Sequence, residues 1–220
     1  MGLIGSSRRG DLRSGLGVTR RQATRAAEGG RVPSVWVLES EGEESEALFL
    51  ALAGDFDVRL VHAPRRADPR RYGLPLEHGH WLVGPCDAPD PHALFATLRA
   101  LEVLLLETAA TESRPGLVAW GEGASLALAL ASCWGDRLGA LVAIGGGLPA
   151  LPPEVGGPEL AGLPILRVSA CGTGAALAGA AQDIRWAELE TRGARITQWA
   201  QASAIESVAS WLQEAILGRA

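Results

Sequence analysis

The stretch Gly116–Trp134, GLVAWGEGASLALALASCW, decides the fold. Its first five residues read as a strand, which Gly121-Glu122-Gly123 interrupts. The remainder, 124–134, alternates Ala and Leu with a period of two, a pattern that would also suit a strand. Its length and Ala content predict a buried helix instead. A strand that runs through glycines into a small-residue helix makes a sharp turn at the carboxyl edge of a sheet. Open α/β sheets hold their ligands at that edge.

Working outward, the chain alternates strand and helix. Ser34–Glu39 (SVWVLE) is a short apolar, β-branched run. Glu43, Glu44 and Glu46 follow it, acidic residues suited to the first turn of a helix that continues to about Ala53. Asp57–His62 (DVRLVH) reads as the next strand, and a loop rich in Pro, Arg and His runs from Pro64 to about Asp90. Residues 91–110 form the clearest helix, with Leu94, Leu98, Leu101 and Leu105 in one stripe. Beyond the deciding stretch, Leu138–Ile144 is a strand ending in Gly145–Gly147, and a Pro/Gly-rich loop covers 149–162. Strands are predicted at Pro164–Ser169 and 194–199, and helices at 175–191 and 204–217. The last helix places Ile205, Val208, Leu212 and Ile216 on one face. This alternation predicts an α/β domain: a mostly parallel central sheet with helices on both faces.

The domain is expected to span 32–220. Residues 1–31 carry seven Arg against Asp11 and Glu28, with scattered Gly and Ser and no apolar periodicity. Such a stretch does not offset the entropy of its own ordering, so a disordered Arg-rich N-terminal arm is expected.

Composition closes several function classes. All 20 basic residues are Arg, because the chain has no Lys; it has no Asn either. Both absences read as the mark of a GC-rich, bacterial-like coding sequence. Without Lys there is no Schiff-base lysine, Walker lysine or Ser–Lys pair. A net charge of −5 argues against a nucleic-acid footprint, which needs a basic face. The apolar stretches are too short to span a bilayer. Cys86, Cys133 and Cys171 are odd in number and widely spaced, which fits neither a disulfide framework nor a zinc site. They read as reduced thiols of a cytoplasmic protein.

Two meanings compete for the turn after Trp120. A dinucleotide site wants G-x-G-x-x-G, but Leu126 stands at the third glycine position, and the following strand ends in glycines rather than an acid. The other meaning is a nucleophile elbow. Here LVAWGEGASLALALA, preceded by a long helix, resembles the strand–elbow–helix of the phospholipase/carboxylesterase group of α/β hydrolases, the compact esterases that include acyl-protein thioesterases. The resemblance covers about 33–218. WVLESEGEES is similar to that group's opening strand and oxyanion loop, and DRLGALVAIGGGLP to its next strand and small-residue turn. LPILRVSACGTG resembles its acid-bearing loop, and ITQWAQASAIES with WLQEAI its His loop and final helix. The resemblance implies an α/β-hydrolase fold in its compact form, without a lid domain, and an ancestral serine ester or thioester hydrolysis.

It also implies that the chemistry is gone. The family's G-x-S-x-G falls on Ala119-Trp120-Gly121-Glu122-Gly123, so Gly121 stands where the nucleophilic Ser belongs. The acid position falls near Thr173 and the base position on Ser203. The oxyanion-loop positions correspond to Glu39 and Ser40, with Glu122 just after the elbow. A carboxylate at Glu39 facing the site would repel a developing oxyanion. Independently of register, this fold's triad runs in the order Ser, acid, His. The four histidines are His62, His78, His80 and His92, all upstream of the elbow.

Other sites are weighed against plainer readings. His78 and His80, with Glu77 before them, have a spacing that can ligate a metal, yet such a pair in a polar loop is ordinarily solvated. Cys171 lies on the loop of the lost acid and reads as an inert thiol for want of an identified cationic neighbour. Ser125 and Ser132 fall inside a helix rather than on the strained turn. Trp81, Trp120 and Trp134 are candidates for a pocket lining, with core packing the plainer assignment. The sequence therefore points to a pseudoenzyme without cofactor or catalytic metal, binding a small molecule or protein partner, with a homodimer open. The alternative is a hydrolase with a rearranged active site, sought in the loop 64–92 and at Cys171.

Overall fold

β3 (Ser34–Leu38, SVWVL) is buried along its whole length, as is β6 (Ala140–Ile144, ALVAI). Continuous apolar strands of this kind belong to a parallel sheet covered by helices on both faces. The computed structural model bears this out. It describes residues 7–10, 16–21, 32–38, 44–64, 80–84, 88–109, 114–149, 151, 159–160, 162–169, 180–199 and 205–218.

The remaining strands are β1 (Ser7–Gly10), β2 (Gly17–Arg21), β4 (Asp57–His62), β5 (Gly116–Trp120), β7 (Pro164–Val168) and β8 (Arg195–Trp199). Among the described residues they form one eight-stranded sheet in the order β1-β2-β4-β3-β5-β6-β7-β8. From β4 to β8 every pairing is parallel, whereas β2 is antiparallel to both β1 and β4.

Alternate residues of each strand feed two cores. On one face Trp36, Leu38, Leu117, Ala119, Leu141 and Ile165 meet α2 (Pro91–Ala109), α3 (Gly121–Trp134) and α4 (Ala180–Thr191). On the other face Val35, Val37, Val118, Val142 and Leu166 meet α1 (Glu44–Leu52) and α5 (Ile205–Leu217). The Leu94, Leu98, Leu101 and Leu105 stripe of α2 is buried as its spacing predicts, each side chain contributing roughly 2 kcal/mol by leaving water. Asp90 caps this helix: its carboxylate accepts the Ala93 N–H at 2.8 Å. α3 is buried on all sides from Gly123 to Ser132, so its Ala/Leu alternation carried no information about period.

The expectation of a disordered arm over 1–31 is corrected at two places. Ser7–Gly10 and Gly17–Arg21 are strands, and β2 is registered on β4 from Gly17↔His62 to Arg21↔Val58. Arg20 grips the buried Asp57 carboxylate with Nε at 3.0 Å from both oxygens and a terminal nitrogen at 2.7 Å. Thr19 Oγ1 lies 2.8 Å from His62 Nε2. A fork-shaped guanidinium on a carboxylate gives geometric specificity, so the sheet begins well before Val32.

Candidate functional site

The parallel arrangement fixes where a site can lie. β3, β5, β6 and β7 all end on one side of the sheet, and β5 passes into α3 there without an intervening residue. Trp120 is extended (φ −119°, ψ 152°) and Gly121 has φ +47°. The chain therefore reverses within one residue, through a left-handed conformation that favours glycine. A Cβ built on Gly121 would have no neighbour within 4 Å. The elbow is thus exposed and open.

Its surroundings are the opposite. The loop after β6 presses onto the start of α3, where a Cβ on Gly146 would lie 2.5 Å from Ala124 Cβ, 2.7 Å from Ser125 N and 2.8 Å from the Gly121 carbonyl oxygen. Gly147 N–H donates to Ser125 Oγ at 3.2 Å, and Ser125 Oγ lies 3.4 Å from the Gly121 oxygen. Ser125 is fully buried in this tie, and Ser132 Oγ donates to Leu128 O at 2.9 Å. Neither hydroxyl stands on the turn, as the sequence indicates.

Glu122 anchors a strap to the elbow. Its Oε2 accepts the Trp81 N–H at 2.9 Å and its Oε1 the Leu82 N–H at 3.0 Å, with His80 Nδ1 3.6 Å from Oε2. The carboxylate also sits in the first turn of α3, where the helix dipole favours a negative charge. Trp81 then lies against Gly123, whose Cβ would meet the indole at 3.4 Å. With 1% of its surface exposed, Trp81 is core and not pocket lining. Trp120 and Trp134 are half-buried against the two cores. The strap continues through Thr97 Oγ1, 3.4 Å from the Trp81 oxygen, and through Asp90 N–H, which donates to Val83 O at 2.7 Å.

Of the residues singled out from sequence, the structure brings together Gly121, Glu122 and His80. Glu39, Ser40, His78, Cys86, Cys171, Thr173 and Ser203 lie outside the described residues. Cys133 is described as a free thiol, pushed up to about 11 by burial, with Glu102 adding to the shift and Arg192 opposing it. Sequence reasoning missed the strap, because its partners are 40 and 41 residues apart and no local pattern links them.

No family model matches the chain, and no curated protein matches it in sequence. Solved structures do match. A carboxylesterase from Mesorhizobium loti is 15% identical, aligns over 94% of this chain and 98% of its own, and superposes with a TM-score of 0.68. A phospholipase/carboxylesterase from Dyadobacter fermentans is 13% identical over 99% of both chains, with a TM-score of 0.62. This chain has the α/β-hydrolase fold. A Bacillus cereus carboxylesterase, 15% identical over 91% of this chain and 94% of its own, superposes equally well at 0.62. Among the described residues no helix is long and apolar enough to cross a membrane.

Proposed function

We propose that this α/β-hydrolase-fold chain is a pseudoenzyme, its scaffold retained to bind a small molecule or a protein partner at the carboxyl edge of the sheet. The observation that carries the proposal is Gly121 at the elbow. Its left-handed φ of +47° is the backbone of a strand-to-helix hairpin turn, and it has no side chain to attack with. A second support is independent of register: every histidine precedes the elbow, so none can arrive from a loop after β7 or β8 to act as general base. Thr173 at the acid position and Ser203 at the base position complete the reading, with Glu39 and Ser40 at the oxyanion loop.

One observation favours the alternative of a hydrolase with a rearranged site. His80 and Glu122 form a histidine–carboxylate pair beside the elbow, a pairing that elsewhere orients a general base. Purified protein incubated with p-nitrophenyl acetate and butyrate separates the two. The pseudoenzyme reading expects a rate no higher than that of a heat-denatured sample. Turnover above that control overturns it, and loss of the turnover in His80→Ala would then assign the rearranged site.

A further inference from the structure

Among the described residues the sheet ends at β1 on one side and β8 on the other, and the two edges are unequally guarded. β1, as described, is four residues long and carries Arg8 and Arg9. Short length and charge are devices that discourage a further strand from pairing. β8, with the sequence RITQW, closes the other end; it has neither Pro nor Gly, and its single charge, Arg195, stands at the first position. Arg195, Thr197 and Gln198 are exposed, while Ile196 and Trp199 are only half-buried. Ile, Thr and Trp are residues that favour strands.

Two hydrogen bonds fix which way the β8 main chain points. Arg195 N–H donates to the Leu163 oxygen at 2.9 Å, and the Trp199 oxygen accepts the Ser169 N–H at 3.0 Å. The main-chain groups of Arg195 and Trp199 therefore face β7. Alternation along a strand turns those of Ile196 and Gln198 to the outer side, presenting two donors and two acceptors.

We infer that the chain forms a two-fold symmetric dimer by antiparallel pairing of β8 with β8 of a second copy, centred on Thr197. In that register Ile196 meets Gln198 of the partner subunit as a hydrogen-bonded pair, and the dyad repeats the pair, so every outward N–H and C=O is satisfied. Thr197 meets its own mate at the dyad as a close pair, in which side chains approach most nearly. Arg195 lies opposite Trp199 of the partner subunit, twice and on one face, where a guanidinium and an indole attract each other. A shift of one residue turns the outward groups of one strand toward groups that already bond to β7. A shift of two leaves chain ends unpaired and sets Arg195 opposite Thr197. The strand is thus complementary to itself in one register, which selects a second copy of this chain over an unrelated segment.

Five residues a side lie below a standard interface, so the dimer should dissociate with a constant in roughly the micromolar range. Sedimentation velocity of the full chain from about 1 to about 100 μM spans that range, and it should show a monomer giving way to a dimer as concentration rises. Thr197 is exposed, so Thr197→Lys leaves the monomer intact while placing two ammonium groups face to face at the dyad. It should raise the dissociation constant about tenfold or more. Gln198→Pro removes only an outward-facing N–H and should act the same way, with the circular dichroism of both variants matching the parent. Mixing Thr197→Lys with Thr197→Glu should restore a dimer of one copy of each. A parent chain monomeric throughout, or a dimer indifferent to both substitutions, overturns the inference.

Discussion

Two turns leave the carboxyl edge of the sheet side by side, after β5 and after β6, and each depends on a glycine for an opposite reason. At Gly146 the surroundings forbid anything larger: a Cβ would collide with Ala124 and with the main chain of Ser125 and Gly121. At Gly121 the surroundings forbid nothing, since a Cβ would find open space, and only the backbone conformation favours glycine. The close packing around the turn is built, and under the proposed pseudoenzyme reading the position at its tip carries no chemistry. The turn's geometry is held by α3 and the β6 loop rather than by a side chain at its tip.

The sharpest way to break that contrast is to add a methyl group to each turn. Gly146→Ala must displace main-chain atoms that cannot swing aside, and should cost about 3 kcal/mol, or roughly 9 °C in Tm. A smaller loss would mean that the β6 loop is loosely seated. Glu122→Ala leaves the Trp81 and Leu82 amides without their acceptor. It should cost about 2 kcal/mol, somewhat less because a quarter of the Glu122 side chain is exposed. Hydrogen exchange at those two amides is the direct readout, and unchanged protection would show that the strap is held elsewhere. Gly121→Ala should cost only about 1 kcal/mol, the strain of a left-handed φ in an L-residue. Thermal melts of the two glycine variants side by side would contradict the contrast if Gly121→Ala proved the more damaging.

The far end of α3 carries a half-buried thiol. Burial holds the Cys133 thiol protonated, its pKa raised from 9.0 to about 11. Its alkylation by iodoacetamide near neutral pH should run about a hundredfold slower than for an unperturbed thiol. The stability this proton confers is fully present below pH 9 and is lost as pH rises through about 11. Fast alkylation of the folded protein at neutral pH would reveal a reactive nucleophile on the helix that begins at the elbow.

The contrast between the turns was half legible in the sequence. Glycines between an apolar strand and an Ala/Leu helix marked the elbow, and the stripe of α2 marked the covering layer, because both are local patterns. β1 and β2 were not legible. SRRG and GVTRR have no apolar alternation; β2 becomes a strand through partners far along the chain, Asp57 for Arg20 and His62 for Thr19, and β1 pairs on β2. Nor did anything local announce that Glu122 would hold the Trp81 strap. Glycine alone did not disclose its reason either: Gly121 and Gly146 read alike until their neighbours are known.

Fluorophosphonate labelling followed by intact-protein mass measurement tests the proposed pseudoenzyme most directly. The reagent phosphonylates a serine activated by a histidine and leaves other hydroxyls untouched. The native chain should keep its unmodified mass, and so should Gly121→Ser, which regains a hydroxyl but no histidine beyond the elbow to activate it. A stoichiometric adduct on the native chain, absent after denaturation, would place a working nucleophile in this fold and contradict the account.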